Sequence, residues 1–198
     1  MNLISHQTKF LNGEVICPGD KSISQRIVIL GSLLNCDMKV RGFLNANDPN
    51  STLNALNKIG AGIEKQDDKV FLHKRKNSFK SSLEDLDLGN SGTGMRLMMG
   101  LISGLQIKAK LIGDSSLSNR PMLRVIKPLK EMGALIKSNK GKAPIEILKS
   151  SLSDNFIYEM PIASAQVKSS LILASLASNN SITIYEPNIT RNHTERMI

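Results

Sequence analysis

The chain has 198 residues, 40% of them apolar and 22% charged, enough to bury a sizeable core. No run approaches the roughly 20 consecutive apolar residues of a membrane span, and the opening MNLISHQTKF lacks the apolar segment of a signal peptide, so a cytoplasmic globule is expected, with no membrane partner. A formal charge of +9 favours anionic partners, while 4% aromatic residues, no tryptophan and scattered lysines argue against a nucleic-acid surface.

Cys17 and Cys36 have no CxxC spacing and no neighbouring histidine pair, so they are expected to be small buried thiols, neither metal ligands nor a disulfide. The stretch PGDKSISQR (18–26) sets Lys21, Ser22 and Arg26 at the start of a predicted helix. In that helix Ile23, Ile27, Leu30 and Leu34 recur at i, i+4, i+7 and i+11 and are expected to line its buried face. A strand in MKVRGFL (38–44), a helix in DPNSTLNALNKIGAGI (48–63), a turn at QDDK and a strand in VFLHK (70–74) follow. LEDLD (83–87) reads as a solvated loop. LGNSGTGMRLMMGLISG (88–104) then opens a second helix of the same kind, with Met95, Met98, Leu101, Ile102 and Leu105 on one face and the methionines in the core. IKAKLIGD (107–114) is a strand, NRPMLRVIKPLKEMGALI (119–136) a helix running into a Gly-Ala pair, NKGKAP a turn and IEILK (145–149) a strand. PIASAQVKSSLILASLA (161–177) opens a third such helix, SITIYEP (181–187) is a strand, and RNHTERMI begins one more helix. His6 and His73 read as incidental, and His193 as a cap or local partner.

Arg26, Arg96 and Lys168, like the pairs Gly60-Ala61 and Gly133-Ala134, recur with a period of roughly 70 residues, the mark of a repeated unit of helix, strand, helix and strands, and hence of an α/β fold. The third copy stops before its closing strands, so the chain is expected to be part of a longer protein. Each first helix opens on small polar residues. The first N–H groups of a helix lack internal partners and carry the positive end of its dipole, so such ends receive phosphate or carboxylate. Gly19, Gly89, Gly92 and Gly94 are expected to let a ligand approach the backbone, and Ser22 and Ser164 to cap or to bind. Lys21 and Arg26 supply charge. One such opening reads as a turn with a cap; three, each with a cation, point to a pocket for a small, multiply anionic molecule.

PGDKSISQR, GNSGTGMRL, RPMLRVIKPLKEMGA, SAQVKSSLILASL and EPNITRNHTERM together resemble the 5-enolpyruvylshikimate-3-phosphate synthase family, in its bacterial form, from about residue 10 onward. The resemblance implies the enolpyruvyl transferase fold: two similar inside-out α/β barrel domains, each of three βαβαββ units, with substrates in the cleft between them. Residues 1–17 would then be a strand segment of the second domain, and residues 18–198 a domain incomplete at its C-terminus. The implied reaction moves the enolpyruvyl group of phosphoenolpyruvate to the 5-hydroxyl of shikimate 3-phosphate, without cofactor or metal, in a protein monomeric when complete. By motif position Lys21, Ser22, Arg26, Ser164, Gln166 and Arg191 would bind shikimate 3-phosphate. Lys21, Asn90, Gly92, Arg120 and Gln166 would bind phosphoenolpyruvate. No catalytic residue is implied within this chain, because the family's acid-base groups lie in the other half, so the chain alone should bind weakly and turn over nothing. Gln25 stands where the family usually has histidine, which leaves a role for that side chain open.

Two other readings remain at this point. A UDP-N-acetylglucosamine enolpyruvyl transferase would share repeat and chemistry, but with a Lys-Asn opening and a cysteine near residue 115, where this chain has GDSSLSNRP. A non-catalytic anion-binding module would keep the helix openings alone.

Overall fold

The computed structural model describes residues 3–198. Residues 3–20 form no regular element, and Leu3, Ile4, Phe10, Leu11, Val15 and Ile16 in it are 79–96% exposed. The expected strand in 1–17 is thus not formed among its described residues, and residues 1 and 2 lie outside them. A strand needs a ladder partner, and none of the described strands pairs with this segment. Cys17 lies in it and is exposed, as is Cys36 just beyond the first helix, so neither is the buried thiol the sequence suggests.

The rest is three copies of one unit. The first contains α1 (Lys21–Leu34), β1 (Met38–Val40), α2 (Asn47–Lys58), β2 (Ile63–Gln66) and β3 (Lys69–Leu72). The second adds a leading strand: β4 (Leu86–Asp87), α3 (Gly92–Gly104), β5 (Ala109–Ile112), the short α4 (Ser115–Ser118), α5 (Leu123–Glu131), β6 (Leu135–Asn139) and β7 (Lys142–Leu148). The third has β8 (Phe156–Glu159), α6 (Ala165–Ser178), β9 (Ile182–Tyr185) and α7 (His193–Met197). The second unit is complete. Its β4 pairs parallel to β5, β5 antiparallel to β7 and β7 antiparallel to β6, a βαβαββ order. The sheet β1-β3-β2 repeats its latter part, and the parallel pair β8-β9 its beginning.

Local chemistry explains the repetition. The three first helices open on Asp20, Ser91 and Ser164, whose side chains accept from the N–H of Ile23, Gly94 and Val167. They close on left-handed residues at matching places, Asn35 (φ 50°), Gln106 (φ 55°) and Asn179 (φ 57°). Ser22 is therefore not the cap of α1, since Asp20 already satisfies the exposed N–H. The expected turn NKGKAP shrinks to Lys140 and Gly141, both at positive φ, because a two-residue turn of that kind matches the twist of the β6-β7 hairpin.

Helix α3 is the spine of the core. Met95, Met98, Leu101 and Ile102 are fully buried, as the spacing predicts. It packs on α6 so closely that a Cβ at Gly100 would sit 1.9 Å from the Ser170 carbonyl oxygen, and one at Gly104 would sit 2.3 Å from that of Ala174. Only glycine permits this approach. In α1 the expected face is displaced: Ile23 is 43% and Leu34 64% exposed, whereas Gln25, Arg26, Val28, Ile29 and Ser32 point inward. Burial follows the neighbours of α1, which offer hydroxyls as well as apolar groups.

Candidate functional site

The first residues of α1, α3, α6 and α7 meet around one hollow lined by Ser22, Arg26, Thr93, Ala165, Gln166, Arg191 and His193. Four of the six positions assigned to shikimate 3-phosphate, Ser22, Arg26, Gln166 and Arg191, are thereby gathered. Ser164 is spent on the cap of α6 and Lys21 pairs with Asp48 of α2 at 3.0 Å, so neither lines the hollow. Thr93, Ala165 and His193 join it without having been singled out as ligands. The small residues beside Gly92 and Gln166 are the trace that Thr93 and Ala165 leave in the sequence; His193 leaves none, because its closeness to α1 and α6 is tertiary.

Arg26 is buried and fixed at several points. Its Nε donates to Thr194 Oγ1 at 2.8 Å, one terminal nitrogen to Ser169 Oγ at 3.0 Å and the other to the Ser22 carbonyl at 3.1 Å. Burial, and then the nearby charge of Arg191, lower its pKa, with Glu195 and Asp20 opposing. An arginine keeps its proton regardless, so the lowering records the burial of Arg26 and then the like charge of the exposed Arg191 beside it, a setting where an anion is welcome.

A second cluster surrounds the start of α3. Asn90 donates through Nδ2 to Asp114 Oδ2 at 2.7 Å and accepts from Arg120 through Oδ1, so the carboxylate fixes which way the amide faces. The N–H of Leu117 and then the Asn90 amide hold the Asp114 carboxyl below its ordinary range. Arg96 donates to the carbonyls of Gly92 at 3.0 Å and Pro121 at 3.2 Å. Burial, then Arg120 and Arg124, lower its pKa. A Cβ at Gly92 would lie 2.9 Å from the Arg96 guanidinium and 3.0 Å from that of Arg120, so glycine lets both cations reach the helix end. Asn90, Gly92 and Arg120 thus stand together, and Thr93, which accepts from Gln166 Nε2 at 2.8 Å, joins this cluster to the first.

Two expectations change. Gly19 and Gly94 make room for protein: their Cβ atoms would meet the Gly42 carbonyl oxygen at 2.0 Å and Thr52 Oγ1 at 2.6 Å. Gln25 is fully buried, its amide nitrogen donating to Ser91 Oγ at 2.6 Å and Thr52 Oγ1 at 2.8 Å, so it knits α1, α2 and α3 beneath the hollow. Its Oε1 has no hydrogen-bond partner among the described residues.

Residues 5–198 match the family model described as EPSP synthase (3-phosphoshikimate 1-carboxyvinyltransferase). The chain is 45% identical over 196 residues to the 3-phosphoshikimate 1-carboxyvinyltransferase of Vesicomyosocius okutanii (strain HA), spanning 98% of this chain and 45% of that protein. Against the enzyme of the same name from Streptococcus uberis it is 44% identical over 191 residues, 95% of this chain and 45% of the relative. An EPSP synthase structure from Acinetobacter baumannii superimposes with a TM-score of 0.86 at 40% identity, over 93% of this chain and 42% of the other. The chain therefore spans about half the length of the curated relatives it matches. No helix among the described residues is long and apolar enough to cross a membrane.

Proposed function

The chain belongs to the EPSP synthase family and shares its fold, and from that premise we propose that it is the N-terminal portion of a 3-phosphoshikimate 1-carboxyvinyltransferase. The whole enzyme joins the 5-hydroxyl oxygen of shikimate 3-phosphate to C2 of phosphoenolpyruvate, the hydroxyl giving up its proton to a base while a proton adds at C3. The resulting tetrahedral adduct releases inorganic phosphate and a proton to give 5-enolpyruvylshikimate 3-phosphate, a step toward chorismate and the aromatic amino acids. Ser22, Arg26, Gln166 and Arg191 bind shikimate 3-phosphate, with Lys21 and Ser164 beside them. Asn90, Gly92 and Arg120 bind phosphoenolpyruvate, with Lys21 and Gln166 reaching both.

The observation that carries this reading is the convergence of the first turns of α1, α3 and α6 on one hollow in which the buried Arg26 stands beside the like charge of the exposed Arg191. Helix ends and guanidinium groups together make a fixed positive field, which stabilises anions and the charge that grows as phosphate departs. Positioning of both reactants and exclusion of water require a second wall. Residues 3–17, with their uncovered apolar side chains, support the assignment of 1–17 to a second domain and of 18–198 to the first. The complete protein is taken as a cytoplasmic monomer.

Calorimetric titration tests the assignment. Shikimate 3-phosphate is expected to bind the 198-residue chain weakly yet more tightly than unphosphorylated shikimate, and no phosphate release is expected with phosphoenolpyruvate added. Equal affinity for the two, or a preference for a UDP sugar, overturns the substrate; turnover by this chain alone overturns the need for a second domain.

A further inference from the structure

Lys168 is the cation of the third helix opening, but it stands four residues past its cap Ser164, where Arg26 and Arg96 stand six and five past Asp20 and Ser91, so it faces a different side of its helix. It does not line the hollow. It is 9% exposed, and its ammonium is clasped by two carboxylates, Glu186 just beyond β9 and Glu195 in α7, the latter at 2.7 Å. Glu186 also accepts the Thr190 N–H at 2.6 Å, so the ion pair fixes the turn that leads into α7. The second oxygen of Glu195 is buried with no hydrogen-bond partner among the described residues. Removing the ammonium would leave two partly exposed carboxylates facing each other, a repulsive arrangement.

Helix α7 is otherwise held by the buried Thr194 and by Met197, which packs against the core. It is five residues long, its N-cap Asn192 makes no side-chain capping bond, and it carries Arg191 and His193 at its start and Thr194, the acceptor for Arg26 Nε. Thr194 in turn donates to Ser169 Oγ at 2.7 Å, one residue from Lys168. We propose, resting on the function assigned above, that Lys168 is a positioning residue: through its double ion pair it holds residues 186–197 against α6, so that Arg191 meets the substrate phosphate and Thr194 steadies Arg26. Lys168 itself touches no substrate.

The test uses the 198-residue chain with Lys168→Met, Lys168→Arg, Arg191→Ala and the double variant Lys168→Met/Arg191→Ala. Shikimate 3-phosphate affinity is expected to fall about tenfold in Lys168→Met and to recover largely in Lys168→Arg, whose fork reaches both carboxylates. The double variant should lose less than the sum of the two single losses, because both changes remove the Arg191 contact, while the support of Arg26 by Thr194 is weakened only by the loss of Lys168. Independently of any ligand, the amides of Arg196 and Ile198, bonded to the carbonyls of Asn192 and Thr194, should exchange faster in Lys168→Met while those of α3 keep their protection. Unchanged exchange in α7, additive losses, or wild-type affinity in Lys168→Met overturns the inference. If Lys168→Met loses protection in α3 as well, Glu195→Gln replaces it with the same criteria. If wild type shows no affinity for shikimate 3-phosphate, the assigned function falls, and the exchange of α7 by itself decides the clamp.

Discussion

In the second unit, strand β5 is flanked by β4 on one side and β7 on the other, whereas its counterpart β9 in the third unit is paired with β8 alone. The consequence shows in the side chains. Ala109 and Leu111 of β5 are buried, while Ile182 and Ile184 of β9 are half-buried and Tyr185 is exposed. Yet α3 and α6 start in the same way and deliver Thr93 and Gln166 to the same hollow. Helix openings are short-range constructions of cap, dipole and small residues, so they form whether or not the sheet behind them is closed. What differs is how the second helix is held: α5 of the second unit by the buried Val125, Ile126 and Leu129, α7 of the third by Lys168, Glu186 and Glu195.

The comparison breaks most severely at the seam between the two units. Gly100→Val drives a branched side chain against the Ser170 main chain, and we expect a loss of more than about 3 kcal/mol in urea unfolding. Closure of the second unit predicts the next effect. Leu86→Ala, at the fully buried residue of β4, should cost about 3 kcal/mol, against about 1 kcal/mol for Ile182→Ala in the half-open β9; equal costs would mean that sheet closure does not set the difference. Acid should then loosen the third unit through its charges. The Lys168 ammonium holds the Glu186 carboxyl below its ordinary range. A carboxyl depressed in the folded state contributes fully above its unfolded pKa, about 4.3, and loses that contribution as pH falls through the lower folded value. Amide exchange of Arg196 and Ile198, measured relative to that of α3, should accordingly become less protected as pH falls below about 4.3, and Glu186→Gln should flatten that dependence. At the alkaline end, burial works against the charge on Lys168, but its bonds to Glu186 and Glu195 overcome this and raise its pKa. The clamp therefore persists up to the ordinary lysine range and is lost only above it. The smallest effect is expected outside both units: Ile16→Ser, at an exposed position, should shift stability by less than about 0.5 kcal/mol.

Much of the site was legible before the fold. Ser22 and Arg26 lie in a helix opening whose composition repeats, and repetition of a local motif is visible in one dimension, whereas Gln166 and Arg191 were marked by the family resemblance alone. Strands β4 and β8 were not legible, because two to four residues without clean alternation carry little pattern; Leu86–Asp87 lies inside LEDLD, which reads as a loop. The inward face of α1 was misread for a different reason. Periodicity finds the apolar stripe, but Gln25 and Arg26 are buried through hydrogen bonds to Ser91 at the start of α3 and Thr194 of α7, and Ser32 by bonding back to the Ile29 carbonyl of α1 itself.

By itself, then, the amino-acid order determined the helix starts, which depend on residues within a few positions of one another, and the repeat and the family likeness, which appear when segments along the chain are compared; that Asp20 and Ser91 are the capping groups emerged only in the structure. Tertiary structure alone decided that Lys168 turns from the hollow to two glutamates, that Arg26 leans on Thr194 and that Asn90 faces Arg120. Those choices join residues far apart in the chain, and only the packing of whole units fixes which distant charge or hydroxyl comes within reach.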